Sequence, residues 1–293
     1  MAQDVHFEIK KRSPLPLIIA VVAVVAIAVG AYYLALNPKS DTVVFGETLK
    51  VHFEPTMAGE EHIIKFVSEH IAPDYGIKLE AVGLQDPVQS NRAVADGDYA
   101  ATIYQHQWWL KQVVDANGFE LTSTFPIYQW GFGIYSERYK SIDDLPEGAV
   151  IAVPNDGANQ GQALWLLERQ GLIGLNKQVE PRTAKLRDIA ENPRKFEFKE
   201  LELMTLPRVL DSVDAAIGYI SEFDSGKVAR EKGILFPQAP RTFASQLVIG
   251  TKFLNDPQIK KLQQAFADPR LDEYLKTTDD PLVAGVFTAV SEN

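Results

Sequence analysis

Residues 149–170 join an apolar run, a polar turn and an amphipathic helix pattern, and this unit restricts the possible folds more than any other part of the chain. Residues 149–153 are apolar and partly β-branched, which predicts a strand, and a helical spacing of alanines and leucines follows Asn155 and Asp156. In open α/β sheets, ligands bind at the carboxyl ends of strands, where helix N-termini offer unpaired N–H groups. The turn is therefore a candidate ligand edge, with the alternative that Asn155 or Asp156 only caps the helix.

Strand and helix patterns alternate along most of the remaining chain. The first series predicts strands over 49–53, 77–82, 99–103, 119–125 and 131–135, and helices over 60–71 and 105–117. The second predicts strands over 149–153, 196–201, 214–219, 234–236 and 243–250, and helices over 184–190, 206–213 and 222–230. Two further helices are predicted near 257–267 and 271–276. This alternation is typical of α/β proteins with a mainly parallel sheet covered by helices on both faces.

The two series are similar in size, which predicts two lobes joined by crossing strands. We assign residues 48–135 and 251–293 to lobe 1, because the final helices have no strands of their own and are expected to return to the first series. Residues 136–250 form the predicted lobe 2. The ligand edge then faces a gap between the lobes, and its polar residues are Asn155, Asp156, Asn159, Gln160 and Gln162.

The first forty residues differ in composition from the rest of the chain. Residues 15–36 are uncharged and apolar, and a helix of this length spans a bilayer core, whereas the apolar region of a cleaved signal peptide is shorter. The basic residues at 10–12 should hold residues 1–14 in the cytoplasm. We therefore expect a single-pass signal anchor in the inner (plasma) membrane, a tether over 37–47 and a C-terminal domain in the periplasm or extracytoplasmic space. A long but cleaved signal peptide is the alternative.

Composition excludes several classes of function. The chain has no cysteine, so it forms no disulfide and carries no lipid on a cysteine. Its net charge is −10, and because residues 1–36 carry +1, the exported part carries −11. A body this acidic, without a basic patch, is a poor nucleic-acid binder. We therefore expect small molecules or proteins as partners, and no nucleic acid.

Motifs for catalysis are absent from the sequence. A G-x-S-x-G elbow, an HExxH motif, a P-loop and a complete G-x-G-x-x-G are all missing, and the five histidines are scattered along the chain. The spacing of these histidines does not suit a metal site. We therefore expect neither an enzyme nor a bound metal or cofactor.

An aromatic cluster follows directly after the third predicted strand. Tyr104, His106 and Trp109 would lie at the carboxyl edge of the sheet, where flat apolar rings with a few hydrogen-bonding tips are typical of a small-ligand pocket. For His106, an uncharged hydrogen-bonding role in a pocket and a surface position are both open on sequence alone. The pattern favours Trp108 as a core or lobe-packing residue. Trp130, further along the chain with Tyr128, is another pocket candidate.

Short segments from about residue 48 to the C-terminus match those of a known family, in the same order. They are Ala95-Asp96-Gly97-Asp98, Tyr104-Gln105-His106 with Trp109-Leu110, Tyr135-Ser136, Lys140-Ser141-Ile142-Asp143-Asp144-Leu145, Ala152-Val153-Pro154-Asn155-Asp156, Asn159 with Gly161, Ala163-Leu164, Glu191-Asn192-Pro193 and Leu206-Pro207-Arg208. In these segments the chain resembles the methionine-binding lipoproteins of ABC importers, often called the NlpA family. The resemblance implies a two-lobed periplasmic-binding-protein fold of the type II-like kind, which closes on its ligand like a hinged clamp. It also implies two protein partners, an ABC permease and its ATPase subunit.

The resemblance further implies a set of ligand-binding residues. These are Tyr104, His106, Trp109, Asn159, Gln162, Gly218 and Ser245. The first four keep the family pattern or its aromatic character. Gln162 stands where members that hold methionine have an arginine for the ligand carboxylate, Gly218 and Ser245 replace two asparagines, and Pro87 replaces a pocket tyrosine. Because a guanidinium–carboxylate pair is stronger than a neutral hydrogen bond, a free amino acid should bind more weakly here.

The leading hypothesis is a membrane-anchored solute-binding component of an ABC importer. It would bind a small amino-acid-like ligand between its lobes, such as methionine, a derivative or a short peptide. The family's lipid-bearing cysteine is missing, and residues 15–36 would replace the lipid as the anchor. The alternative is a membrane-tethered sensor or interaction domain with a degenerate ligand pocket. The lost arginine and the permanent tether favour that alternative, whereas the retained aromatic edge opposes it.

Overall fold

The helices and strands largely keep the alternating order that the sequence predicts. A computed structural model describes residues 45–238 and 240–291. The α-helices are α1 (Gly59–His70), α2 (Pro87–Asp96), α3 (Gln107–Asn117), α4 (Gly157–Arg169), α5 (Ile220–Ser225), α6 (Pro257–Phe266) and α7 (Pro269–Thr277). The strands are β1 (Thr48–Phe53), β2 (Lys78–Gly83), β3 (Ala101–Thr102), β4 (Leu121–Pro126), β5 (Gln129–Trp130), β6 (Phe132–Tyr135), β7 (Val150–Pro154), β8 (Gly174–Leu175), β9 (Ile189–Glu191), β10 (Glu197–Leu201), β11 (Ala215–Tyr219), β12 (Gly233–Leu235), β13 (Gln246–Gly250) and β14 (Phe287–Thr288).

The first five-stranded sheet has the order β2-β1-β3-β13-β4. β1 pairs in parallel with β2 and β3, and β13 pairs antiparallel with β3 and β4. Leu49 and Val51 of β1 share one buried core with Ile63, Ile64 and Val67 of α1, whose spacing places them on one helix face. This packing fixes the carboxyl end of β1 next to that of β3, where the aromatic cluster begins.

The second five-stranded sheet has the order β10-β7-β11-β6-β12. β7 pairs in parallel with β10 and β11, and β6 pairs antiparallel with β11 and β12. Ile151, Val153 and Ile217 are fully buried, as expected for central strands covered on both faces. Both sheets are therefore mixed, whereas the sequence predicts a mainly parallel sheet. The antiparallel strand β6 enters the second sheet from lobe 1. The antiparallel strand β13 enters the first sheet from lobe 2.

The points where the chain changes lobe differ from the predicted lobe boundaries. β6 (Phe132–Tyr135) belongs to the second sheet, although the prediction placed it in lobe 1. β13 (Gln246–Gly250) belongs to the first sheet, although the prediction placed it in lobe 2. The chain therefore crosses after β5 and again between β12 and β13. An apolar run predicts a strand, but its sequence does not say which sheet that strand joins.

Two helices predicted in the second lobe are not α-helices. Residues 184–190 contain a 3₁₀ turn at Leu186–Asp188 followed by β9. Residues 206–213 overlap a 3₁₀ helix at Leu203–Val209. Pro207 lies inside that helix, where it lacks a backbone N–H and its ring crowds the preceding turn, so α-helical hydrogen bonding does not develop.

The predicted membrane anchor at residues 15–36 lies outside the described residues, as do the predicted cytoplasmic segment at 1–14 and most of the tether. In the described part of the chain, no helix combines the length and the apolarity that a bilayer crossing requires. That part begins at Phe45, whose ring packs edge-on against Phe253 with ring centroids 5.1 Å apart. This contact fixes the first described residues onto lobe 1.

Candidate ligand-binding site

A cavity of about 430 Å³ lies between the two sheets, at the carboxyl ends of β1, β3 and β11. Its wall consists of Glu54, Thr56, Met57, Gln85, Pro87, Tyr104, Gln105, His106, Trp109, Trp130, Asn159, Leu203, Met204, Tyr219 and Glu222. The volume lies within the range of small-molecule sites, roughly 300–1,000 Å³. Its place, at the strand ends of both sheets, is where open α/β sheets bind ligands.

The first lobe contributes aromatic residues that follow β3. The Tyr104 hydroxyl accepts hydrogen bonds from Asn91 Nδ2 at 2.7 Å and from Trp109 Nε1 at 3.3 Å. His106 caps α3, because its Nδ1 accepts a hydrogen bond from the Trp109 backbone N–H at 3.2 Å. The cap fixes where α3 begins and holds the Trp109 ring beside Tyr104. Burial raises the pKa of Tyr104, so its phenol is neutral.

The second lobe contributes the start of α4 and the end of β11. Asp156 caps α4, with Oδ1 accepting from the Asn159 backbone N–H at 2.9 Å and Oδ2 accepting from Asn159 Nδ2 at 3.0 Å. The second of these bonds orients the side-chain amide of Asn159. The Tyr219 hydroxyl then donates to Asn159 Oδ1 at 2.8 Å. The turn after β7 therefore caps its helix and positions a cavity residue at the same time.

His106 and Asn159 connect the two lobes across the cavity. His106 Nε2 lies 3.3 Å from Asn159 Oδ1. Because Nδ1 accepts from the Trp109 N–H, Nε2 carries the ring hydrogen and donates it to the amide oxygen. Burial lowers the pKa of His106 to about 4, so the imidazole is neutral at pH 7. The bridge between the lobes is therefore a neutral hydrogen bond.

A buried carboxyl group supports the wall from behind. Glu60 Oε1 lies 2.8 Å from the Tyr128 hydroxyl and accepts from Trp130 Nε1 at 3.3 Å, while Oε2 accepts from the Glu54 N–H at 2.9 Å. Burial raises the pKa of Glu60 to about 8. The Tyr128 hydroxyl also lies 2.6 Å from the Ile103 carbonyl oxygen. Since that hydroxyl has only one hydrogen, a protonated Glu60 supplies the second hydrogen bond.

Two further carboxyl groups lie on the wall itself. Glu54 follows β1 and is half-buried, and burial raises its pKa. Glu222, on α5, is 3% exposed, and its Oε2 has no hydrogen-bond partner among the described residues. Burial raises the pKa of Glu222 to about 8, and the nearby Asp156 and Glu54 carboxylates add to the rise.

Three of the seven predicted ligand residues do not reach the cavity wall. Gln162 lies one turn further along α4, where its Oε1 is 2.8 Å from the Tyr219 hydroxyl, and it borders a separate small cleft. Gly218 lies within β11, and a Cβ placed there would be 3.5 Å from Glu222 Oε2. The Ser245 hydroxyl is buried and donates to a backbone carbonyl beside β3. These three positions therefore lie behind the wall, and of the three only Gln162 contacts a wall residue through its side chain.

The structure brings together the other four predicted residues and adds several that the sequence patterns missed. Tyr104, His106, Trp109 and Asn159 all line the cavity, as do Trp130 and Pro87. The missed residues are Glu54, Thr56, Met57, Gln85, Gln105, Leu203, Met204, Tyr219 and Glu222. Only their place in the sequence could have indicated these residues, because several of them lie at or just after the end of a predicted strand.

Trp108 lies outside this cavity. Its Nε1 donates to Thr242 Oγ1 at 3.0 Å, and the Arg182 guanidinium lies 4.8 Å from its ring centroid. The neighbouring Trp109, on the same helix, is part of the cavity wall. The two adjacent tryptophans therefore differ in role, and each provides a control for the other.

The composition of the wall suits binding of a small, partly apolar molecule. Aromatic rings and the side chains of Met57, Leu203 and Met204 provide apolar surface, and a few polar tips lie between them. Across residues 45–238 and 240–291, no group of three or more His, Asp or Glu side chains is arranged to hold a metal ion.

The fold recurs in solved structures of known proteins. A nutrient binding protein from Burkholderia cenocepacia bound to methionine matches with a TM-score of 0.71 and 31% identity, over 83% of this chain and 100% of that chain. A periplasmic substrate-binding protein of an ABC transporter from Coxiella burnetii matches with a TM-score of 0.71 and 25% identity, over 82% of this chain and 99% of that chain. The molecule is therefore an α/β protein with the two-lobed fold of substrate-binding proteins.

Sequence comparison gives the family. Residues 55–286 match the model of the NlpA lipoproteins. The probable D-methionine-binding lipoprotein MetQ of Vibrio cholerae is 31% identical over 265 residues, which are 90% of this chain and 96% of that protein. The chain belongs to the NlpA lipoprotein family, and the resemblance predicted from its short segments is confirmed. The family is one of solute-binding proteins of ABC importers, not of enzymes.

Proposed function

We propose that this chain is the solute-binding component of an ABC importer and holds a small amino-acid-like ligand between its two lobes. The observation that carries the proposal is the cavity of about 430 Å³, whose wall comes from both sheets. A ligand in that space touches both lobes at once and therefore favours their closed arrangement. The transport role of the Coxiella burnetii relative and the family membership support the same function.

The ligand class follows from the wall and from the relatives. Methionine, a derivative of it or a short peptide suits the volume, and the thioether of methionine makes favourable contacts with aromatic rings. In this proposal Trp109 and Tyr104 contact the apolar part of the ligand. His106 and Asn159 supply neutral hydrogen-bonding groups, and their mutual bond holds the lobes together over the ligand.

The three predicted residues behind the wall have indirect roles in this proposal. Gln162 acts through the Tyr219 hydroxyl, Ser245 holds the backbone beside β3, and Gly218 leaves space beside Glu222. A guanidinium at position 162 is absent from the sequence, so the ligand carboxylate, where there is one, has lost the partner that the family resemblance implies.

The proposal includes a membrane anchor and a location. Residues 15–36 form a single membrane-spanning helix, residues 1–14 remain in the cytoplasm, and the two-lobed body, of the type II-like kind, lies in the periplasm or extracytoplasmic space. The tether keeps the body close to its permease and ATPase partners, which raises their effective concentration. The relatives named lipoproteins support attachment to a membrane.

A membrane-tethered sensor or interaction domain with a degenerate pocket is the competing function. It would not require an open volume between the lobes. The cavity, together with the aromatic rings that line it, therefore supports the ligand-binding proposal over this alternative.

Native mass spectrometry of the full-length chain, purified in detergent without added ligand, tests the proposal. Thermal-shift screening against amino acids, their amides, their decarboxylated amines and dipeptides complements it. We expect a bound small molecule, or stabilisation by a member of the panel, in the wild type and in Trp108→Ala. Trp109→Ala should show neither a bound molecule nor stabilisation, because this substitution removes a ring from the cavity wall. Trp108→Ala is the control, because the Trp108 ring lies outside the cavity. The proposal would be contradicted if the wild type carried no small molecule and no panel member stabilised it. It would also be contradicted if Trp109→Ala bound like the wild type.

A further inference from the structure

The wall of the cavity is acidic and has no positively charged side chain. Glu54 and Glu222 belong to it, and among the described residues that line it there is no lysine or arginine. His106 also lines it, but its imidazole is neutral at pH 7 because burial lowers its pKa to about 4. An anionic group placed in this space therefore meets acidic side chains and no cation.

The Glu222 carboxyl group has an unfilled hydrogen-bonding position that borders the cavity. Its Oε2 is buried and has no partner in the described part of the chain. Gly218 lies beside this oxygen, at a position where a Cβ would be 3.5 Å from it. A buried polar atom without a partner is unfavourable, and a ligand donor placed against it removes that cost.

Helix N-termini beside the cavity are already used by acidic side chains of this chain. Asp86 accepts hydrogen bonds from the Val88 and Gln89 N–H groups at the start of α2, at 2.9 and 3.0 Å. Asp156 caps α4 in the same way. Helix N-termini ordinarily attract anions, but here two carboxylates occupy those positions and repel a third.

Aromatic rings complete an environment that favours a positive charge. Trp109, Trp130, Tyr104 and Tyr219 all line the cavity. The faces of such rings attract ammonium groups, most strongly where water is excluded.

We infer that the cavity selects an apolar ligand that carries an ammonium group and no free carboxylate, with Glu222 as the ion-pair partner of that group. The inference rests on the proposed solute-binding function and narrows its ligand class. Its basis is the combination of a buried carboxyl oxygen without a hydrogen-bond partner, a second acidic residue in the wall, and four aromatic rings, in a space whose described lining residues include no lysine or arginine.

Binding of such a ligand is linked to pH. The titratable groups that act on Glu222 are the carboxyl groups of Glu54 after β1 and Asp156 before α4. The other titratable groups that line the cavity with it are Tyr219 at the end of β11, and Tyr104 and His106 after β3. None of them is positive at pH 7. Burial raises the pKa of Glu222 to about 8, so the empty site is largely protonated at pH 6. An ammonium ligand must displace that proton, and its affinity should rise between pH 6 and pH 8.

Titration calorimetry of the full-length chain in detergent, with three probes that share one thioether chain, tests the inference. The probes are 3-(methylthio)propylamine, which is a cation, methionine, which has both charges, and 4-(methylthio)butyrate, which is an anion. At pH 8 we expect the amine to bind at least about tenfold more tightly than methionine. The reason is that the amine lacks the carboxylate, which the acidic residues of the wall repel. The butyrate should not bind measurably. At pH 6 the amine should bind more weakly than at pH 8.

Glu222→Gln is the decisive variant, and Glu197→Gln, at an exposed position on β10, is its control. Glu222→Gln should abolish both the preference for the amine and its pH dependence, whereas the control should behave like the wild type. Methionine binding as tightly as the amine, or butyrate binding, would overturn the inference and leave the proposed function intact. An unchanged amine affinity in Glu222→Gln would overturn it as well. If no probe binds and no other small molecule is held, the inference and the proposed function fail together.

Discussion

Glu60 and Glu222 are two buried carboxyl groups whose protonation differs from that of an exposed glutamate. Each is buried, and burial raises the pKa of each to about 8. Glu60 has hydrogen-bond partners on both oxygens, whereas Glu222 Oε2 has none. We therefore interpret Glu60 as a structural group that holds Trp130 and Tyr128, and Glu222 as a group for the ligand.

In the wild type, Glu60 should lower the free energy of unfolding as pH rises towards neutral, and Glu60→Gln should not show this fall. The folded pKa of about 8 lies above the ordinary value of 4.5, so between these values the folded state keeps a proton that the unfolded state has released. The free energy of unfolding of the wild type should therefore fall as pH rises through this window, by at most about 1.4 kcal/mol per pH unit for this group. Below pH 4.5 and above pH 8 the contribution is constant.

Urea unfolding at pH 5 and pH 8, followed by tryptophan fluorescence, measures this effect. Glu60→Gln can keep the bonds to the Tyr128 hydroxyl and the Glu54 N–H, but it loses the bond from Trp130 Nε1, because the amide nitrogen does not accept. This loss does not depend on pH. Since Gln does not titrate, the free energy of unfolding of the variant should rise relative to that of the wild type as pH rises. The contribution of Glu222 is present in both proteins and cancels in the difference. Glu197→Gln provides an exposed control that should follow the wild type. A difference that does not change with pH would show that Glu60 is ionised in the folded state.

Part of the site could be predicted from individual residues. Tyr104, His106 and Trp109 were found because three hydrogen-bonding aromatic residues follow a strand, and Asn159 because it matches the family pattern. Glu222 was missed, because a glutamate in a short polar segment looks like a solvated residue. It is buried beside Gly218, and no pattern within its own short helix encodes that packing.

At the scale of elements, the start of α4 links helix stability to the site. Asp156 caps the helix and orients the amide of Asn159, and Asn159 in turn bonds to His106 and Tyr219. Gly161 allows the same helix to approach the 3₁₀ turn at Pro181–Thr183, since a Cβ there would lie 2.3 Å from the Arg182 carbonyl oxygen. The cap and the close approach together fix the helix relative to the cavity.

Asp156→Ala should weaken both folding and binding, whereas Asp256→Ala should weaken folding alone. Each substitution removes an N-cap, which typically lowers the free energy of unfolding by about 1 kcal/mol. Asp256 caps α6 through the Gln258 and Ile259 N–H groups and does not border the cavity. Denaturant midpoints and calorimetry with the tightest of the three thioether probes measure the two effects. Equal affinities for the two variants would contradict the positioning role of the cap.

Element boundaries were predictable where one pattern dominated, and not elsewhere. The helices at 60–71 and 105–117 were predicted within two residues, because their apolar spacing and the glycine after the second one are local signals. The segment at 206–213 was predicted as a helix although Pro207 favours a 3₁₀ turn. Whether β6 and β13 join one sheet or the other depends on contacts between distant parts of the chain.

At the scale of the whole molecule, a small number of contacts hold the lobes closed. His106 and Asn159 meet inside the cavity, and Ser225 Oγ donates to the Thr56 carbonyl at 3.0 Å near its rim. The Arg230 guanidinium reaches the carbonyls of Pro281 and Ala284, both at 3.1 Å. These are individually modest interactions, so a ligand that contacts both lobes has enough binding energy to control their closure.

Determination of the structure of the full-length chain with the tightest-binding of the three thioether probes would show whether the two lobes enclose a small solute. We expect density for the probe inside the cavity between the sheets, against the Trp109 ring and with its nitrogen within hydrogen-bonding distance of the Glu222 carboxyl group. Density only outside that cavity, or a cavity that stays empty at saturating probe, would contradict the claim that the two lobes form a clamp around a small solute.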